Sequence, residues 1–169
     1  TRLGAAVTGV DATEANIKTA MTHGAQSGLA IDYRVGTAEG LIEAGEPAFD
    51  VVLNMEVVEH VADPAAFMQN CARLVAPGGI MIVATLNRTA KAFALAIVGA
   101  EYVLGWLPRG THEWSKFVTP AEIRAALAAD PGITVAGPIG VSFNPVLDRW
   151  SLGTDAAVNY LMTARRAAA

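Results

Sequence analysis

The stretch that most narrows the folds open to this chain is the nearly continuous apolar run Phe49-Asp50-Val51-Val52-Leu53-Asn54-Met55. A run of that kind matches a strand covered on both faces, as in a parallel sheet flanked by helices. Other segments keep the same rhythm. Residues 5–10 are apolar and β-compatible and end at Asp11, residues 13–23 predict a helix stopping near Gly24, residues 31–35 a short strand, and residues 37–43 a turn or short helix. Pro64 suits the first turn of a helix over 64–75, whose apolar face is Phe67, Cys71 and Leu74. Pro77-Gly78-Gly79 predicts a tight turn, and residues 80–85 another buried strand. Thr119-Pro120-Ala121-Glu122 opens a helix running to Ala129 with a capping-box pattern. Residues 134–141 and 158–163 read as strands, with turns at Asn144-Pro145 and at residues 152–155. Alternating strands and helices imply an α/β chain with an open, mostly parallel sheet. The last two strands, joined without an obvious helix, give it an antiparallel C-terminal end.

Composition narrows the function. A length of 169 residues predicts one domain over residues 1–169. With 12 basic against 16 acidic residues there is no basic face for phosphates, which argues against nucleic acid. The single cysteine, Cys71, forms no internal disulfide and reads as a small buried hydrophobe in a cytoplasmic chain. No signal segment is visible, and the chain opens on Thr1 almost directly into a strand, which points to an upstream portion lost or processed away. Residues 92–107 carry one charge, Glu101, and are too few for a simple membrane span, which needs about 20 apolar residues.

Chemistry concentrates just beyond Met55. In Glu56-Val57-Val58-Glu59-His60 two carboxylates and an imidazole stand at i, i+3 and i+4, so a helical turn there puts all three on one face. The carboxyl end of a strand is where α/β folds usually place their ligands.

The order of these features carries a family likeness. An acid ends the strand Val7-Thr8-Gly9-Val10-Asp11; a second apolar strand precedes Glu56-Val57-Val58-Glu59-His60-Val61-Ala62-Asp63-Pro64; then come Leu74-Val75-Ala76-Pro77-Gly78-Gly79 and a strand. This resembles the Rossmann-like class I S-adenosylmethionine-dependent methyltransferases from their second strand onward. Longer strings narrow it further. Thr85-Leu86-Asn87-Arg88, Val98-Gly99-Ala100-Glu101-Tyr102, Gly110-Thr111-His112-Glu113-Trp114-Ser115-Lys116-Phe117 and Asp155-Ala156-Ala157-Val158-Asn159-Tyr160 resemble the O-methyltransferase family of ubiquinone biosynthesis across essentially the whole chain. One departure stands out: the glycine-rich loop after the family's first strand is missing. The chain therefore reads as N-terminally truncated, without the central strand between those ending at Asp11 and Met55. Neighbouring strands lie about 4.8 Å apart, so this loss predicts a gap of roughly two spacings or a rearranged sheet.

The resemblance implies S-adenosylmethionine as cofactor, with Asp11 accepting its ribose hydroxyls and Met55 touching it; the alternatives are a helix cap and a core methionine. Thr37-Ala38-Glu39 is a weaker candidate for adenine contact. Glu56, Glu59 and His60 either take the proton of a phenol or bind Mg²⁺ that chelates a catechol, and the imidazole leaves Mn²⁺ or Zn²⁺ open. His112 is a candidate auxiliary base. The implied substrate is a polyprenylated phenol. Residues 88–118 would then be an apolar helical insertion or lid. Within it, Phe93, Ile97 and Leu104 fall near one helical face, with Val98 adjacent. Residues 91–109, flanked by Lys91 and Arg109, would touch the inner face of the membrane peripherally. Other ubiquinone-biosynthesis proteins are further expected partners. The alternatives are another small-molecule class I methyltransferase, or an inactive fragment that keeps lipid or partner association.

Overall fold

A computed structural model describes residues 1–95, 97, 98, 105, 108, 110, 113–145 and 147–169. The chain divides into two compact units, Thr1–Pro47 and Ala48–Ala169, and the strands pair in two separate sheets.

In the first unit, β1 (Thr8–Asp11) runs parallel to β2 (Asp32–Val35), with α1 (Glu14–Gln26) as the crossover. Asp11 ends β1 and holds the turn into α1. Its Oδ1 accepts the Thr13 backbone N–H at 2.7 Å, while the Thr13 side chain caps nothing. Gly9 has no side chain because a Cβ there would stand 2.8 Å from the Tyr33 ring. The short α2 (Ala38–Glu43) is capped by the Thr37 hydroxyl, which accepts from the Gly40 N–H.

In the second unit, β3 (Phe49–Met55) lies parallel to β4 (Val75–Leu86). The C-terminal end is antiparallel: β4 pairs with β7 (Asn159–Arg166), β7 with β5 (Ile133–Asn144), and β5 with β6 (Arg149–Gly153). The sheet order is β3-β4-β7-β5-β6. β6 is an addition to the sequence reading, which expected only turns around it. Pro77-Gly78-Gly79 is also different. Phe49 pairs with Val75 but Val51 with Ile80, so these residues bulge out of β4 instead of ending an element.

Between β3 and β4, α3 (Pro64–Arg73) begins at Asp63, whose carboxylate accepts the Ala66 N–H, with Pro64 in the first turn. The helix stops two residues short of the predicted Val75, because Val75 is taken into β4.

After β4, α4 (Ala90–Ala92) starts on the Thr89 hydroxyl and passes into π-helical backbone at residues 93–95, 97 and 98. The wider π turn breaks the helical face predicted for Phe93 and Ile97. Ile97 packs on a small core of Leu86, Ala92 and Phe117, whereas Phe93 is exposed and meets the Trp114 ring edge-on at 6.5 Å. Leu104, Glu101, Arg109 and His112 lie outside the described residues. No described helix is long and apolar enough to cross a membrane.

The capping box opening α5 (Pro120–Leu127) forms as predicted, with Thr119 and Glu122 satisfying each other's backbone. The core fills one face of the sheet. Met81 and Val83 on β4 stand beside Ala164 and Met162 on β7, buried with Met68 of α3 and Ile123 and Leu127 of α5. β3 alternates accordingly: Asn54 is 3% exposed, but Leu53 is 64% and Met55 50% exposed. The strand is thus covered on one face, where the sequence predicted two.

Candidate functional site

β3 ends at Met55, and the Glu56 N–H still donates to Ala84 O at 2.8 Å. The chain then turns sharply. Glu56 adopts φ 53°, a left-handed conformation that costs a non-glycine residue energy and recurs at functional sites. Val58–His60 follow as a single 3₁₀ turn. This replaces the α-turn that the i, i+3, i+4 spacing assumed. Three residues per turn send neighbouring side chains in different directions: Val58 and Glu59 point inward and are buried, while His60 is exposed. Among the described residues no group of three His, Cys, Asp or Glu side chains is placed to hold a metal ion. Glu56, Glu59 and His60 therefore do not form the ligand set expected of them.

What remains is a pair of carboxylates. Glu59 is 3% exposed, and its Oε2 accepts the Thr85 hydroxyl at 2.7 Å. Glu56 is exposed as a whole residue, yet its carboxyl is pushed up to about 8, first by desolvation and then by the charge and hydrogen bond of Glu59. Near neutral pH the Glu56 carboxyl therefore keeps its proton.

Glu59 lines a cavity of about 460 Å³, walled also by Asp63, Met68, Arg88, Phe117 and Glu122. Lys116 is at its rim. Both cations have acidic partners: Arg88 pairs with Glu122, and Lys116 with Glu113 at 2.8 Å. Sequence reasoning missed Arg88 and Glu122 as parts of this wall and Thr85 as the partner of Glu59. They belong to strings quoted above for resemblance or capping, and nothing in their spacing ties them to Glu59.

In the first unit, Asp11 borders a groove of about 580 Å³ with Asn16, His23 and Tyr33. The Asn16 amide, also missed, donates to both Asp11 oxygens at 3.2 Å. The Thr13 N–H leads in holding the Asp11 carboxyl below its ordinary range, with Asn16 adding to it. The N-cap of α1 is Thr13 rather than Asp11, and Asp11 instead holds the turn that leads into the helix. This leaves Oδ2 with Asn16 alone, and a carboxylate has room for further donors. Met55 is half exposed at the end of β3. Thr37 is occupied with capping α2.

Residues 1–83 match the family model described as a methyltransferase domain. The chain is 64% identical over 167 residues to the ubiquinone biosynthesis O-methyltransferase of Maricaulis maris (strain MCS10), covering 99% of this chain and 65% of that protein. It is 54% identical over 168 residues to the protein of the same name from Methylobacterium sp. (strain 4-46), covering 99% and 67%. The chain thus spans about two thirds of the length of these curated relatives. Among solved structures, that of the plantazolicin methyltransferase BamL, in complex with a triazolic desmethylPZN analog and SAH, superposes with a TM-score of 0.66. It shares 12% identity and covers 95% of this chain and 68% of that one, which establishes a shared fold.

Proposed function

This chain belongs to the ubiquinone biosynthesis O-methyltransferase family, and from that premise we propose that it serves S-adenosylmethionine-dependent O-methylation of a polyprenylated catechol or hydroquinone. The observation that carries the reading is the buried Glu59 carboxylate, which lines a cavity beside the raised Glu56 carboxyl at the end of β3.

S-adenosylmethionine, when bound, supplies the methyl group. The phenol oxygen must lose its proton as it attacks. Glu59, buried on the cavity wall, accepts that proton, a contribution of about 10²–10⁴ in rate. Glu56, protonated, is the hydrogen-bond donor beside it. In the first unit, Asp11 has the spare acceptor capacity to receive ribose hydroxyls, and in the second Met55 offers an exposed thioether for cofactor contact.

The exposed Phe93, Leu95 and Val98 suit a long isoprenoid tail and peripheral contact with a lipid surface. Sedimentation with liposomes checks this contact; a protein left wholly in the supernatant contradicts it. The cofactor reading is tested by calorimetric titration with S-adenosylhomocysteine, with and without Mg²⁺. Saturable binding supports it. Absence of binding by a folded chain leaves the fragment reading, with lipid or partner association as its remaining property.

A further inference from the structure

We propose that Trp114 is a specificity-determining residue, which carries the first isoprene units of the acceptor's tail as they leave the cavity walled by Glu59; the proposal rests on the O-methyltransferase reading of that cavity. Trp114–Lys116 form a single 3₁₀ turn, closed by the Phe117 N–H donating to Trp114 O at 3.1 Å. Ser115, Lys116 and Phe117 line the cavity, and Trp114 comes just before them in the chain. Side chains at i and i+3 of a 3₁₀ turn eclipse, so Trp114 and Phe117 fall on one side of it. Phe117 is 1% exposed and packs with Leu86 and Ala92, whereas Trp114 is 39% and Phe93 46% exposed. A run of three rings thus begins at the cavity wall and ends at the apolar surface of residues 93–98. The two outer rings are held in place. Thr89 O accepts both the Phe93 backbone N–H at 3.0 Å and the Trp114 indole N–H at 3.1 Å, so one carbonyl sets the edge-on contact between them. The Thr89 hydroxyl donates in turn to Ala157 O, which ties that carbonyl to the segment before β7. An indole whose single N–H is already bonded offers only apolar ring surface to a ligand. Both cations of the cavity are paired with acids. The run therefore presents hydrocarbon rather than charge, and it suits an isoprenoid chain continuous with a ring in the cavity.

The test uses the full chain with Trp106→Phe and Trp150→Phe, which leaves Trp114 as the sole indole. Its emission and its quenching by acrylamide are followed during titration with geranylcatechol, 3-methylcatechol and geraniol, and folding by thermal melting. The expected result is a blue shift and reduced quenching with geranylcatechol, and neither with 3-methylcatechol or with geraniol at the same concentration. Calorimetry then compares the native chain with Trp114→Ala. The preference for geranylcatechol over 3-methylcatechol is expected to fall by at least about tenfold in W114A. Geranylcatechol that binds by calorimetry but leaves Trp114 emission and quenching unchanged overturns the proposal and leaves the acceptor reading standing. Native preference in folded W114A does the same, as does equal shielding by geraniol, because the tail then needs no ring in the cavity. If neither catechol binds the folded native chain, the acceptor reading fails and the proposal falls with it. Should W114A fail to fold, the shielding measurement decides, since it keeps Trp114 in place.

Discussion

Glu56 and Glu59 are neighbouring carboxyls of unequal standing: Glu59 is buried and bonded to Thr85, and its charge helps to hold the proton on Glu56. The inequality arises from the backbone. The left-handed Glu56 ends the strand, and the 3₁₀ turn after it sends Glu59 inward.

One consequence is a pH dependence of stability. Glu56 is raised in the folded chain from an ordinary 4.5 to about 8. Between these values the native state holds a proton that the unfolded state has lost, so this group's contribution to stability falls as pH rises through that window. Urea unfolding of the native chain is expected to show a lower midpoint at pH 8 than at pH 5, and Glu56→Gln to flatten that difference. Asp11, Glu113 and Asp155 are shifted downward, so their contributions are lost only at more acid pH.

Asp11 separates its two roles by substitution. Asp11→Asn keeps an oxygen for the Thr13 N–H but removes the charge. It is expected to leave the melting temperature close to native while weakening S-adenosylhomocysteine binding by about tenfold, the loss of one charge-assisted hydrogen bond. Asp11→Ala is expected to lower both. Equal S-adenosylhomocysteine affinity in native and D11N protein, measured by calorimetry, would leave Asp11 with its role in the turn before α1 alone.

These residues also show how far the sequence could be read. Strand β3, α3 and the Thr119 capping box were legible because local periodicity and capping chemistry determine them. The family likeness was legible because it rests on long strings. The geometry after Met55 was not: nothing in Glu56-Val57-Val58-Glu59-His60 distinguishes a 3₁₀ turn entered through a left-handed residue from an α-turn. Thr85 was invisible as a partner of Glu59 because the two meet only when β4 lies beside β3. The apolar residues of β3 suggested cover on both faces, yet hydrophobicity alone does not say whether an element is present to supply it. Asp11 was readable as a residue of interest, while its bond to the Asn16 amide needed α1 in place.

The α5 capping box gives a stability prediction free of the site chemistry. Thr119→Ala removes the acceptor of the Glu122 N–H and is expected to cost about 1 kcal/mol in urea unfolding. Thr119→Ser is expected to restore most of it.

Gly79 tests the bulge in β4. A Cβ at this position would stand 2.8 Å from the backbone oxygens of both Ala76 and Asp50. Because backbone rather than a flexible side chain must yield, Gly79→Ala is expected to destabilise by about 1–3 kcal/mol. Gly78→Ala probes a different demand, since φ is +77° there with nothing near the added methyl. It is expected to cost about 1 kcal/mol through backbone conformation.

The most direct test of the account is transfer of a labelled methyl group from S-adenosylmethionine to a prenylated catechol, comparing the native chain with Glu59→Gln and His60→Gln at matched folding. The account predicts labelled lipid from the native chain, a loss of at least about 100-fold in E59Q, and near-native transfer in H60Q. Transfer by E59Q equal to that of the native chain would contradict it.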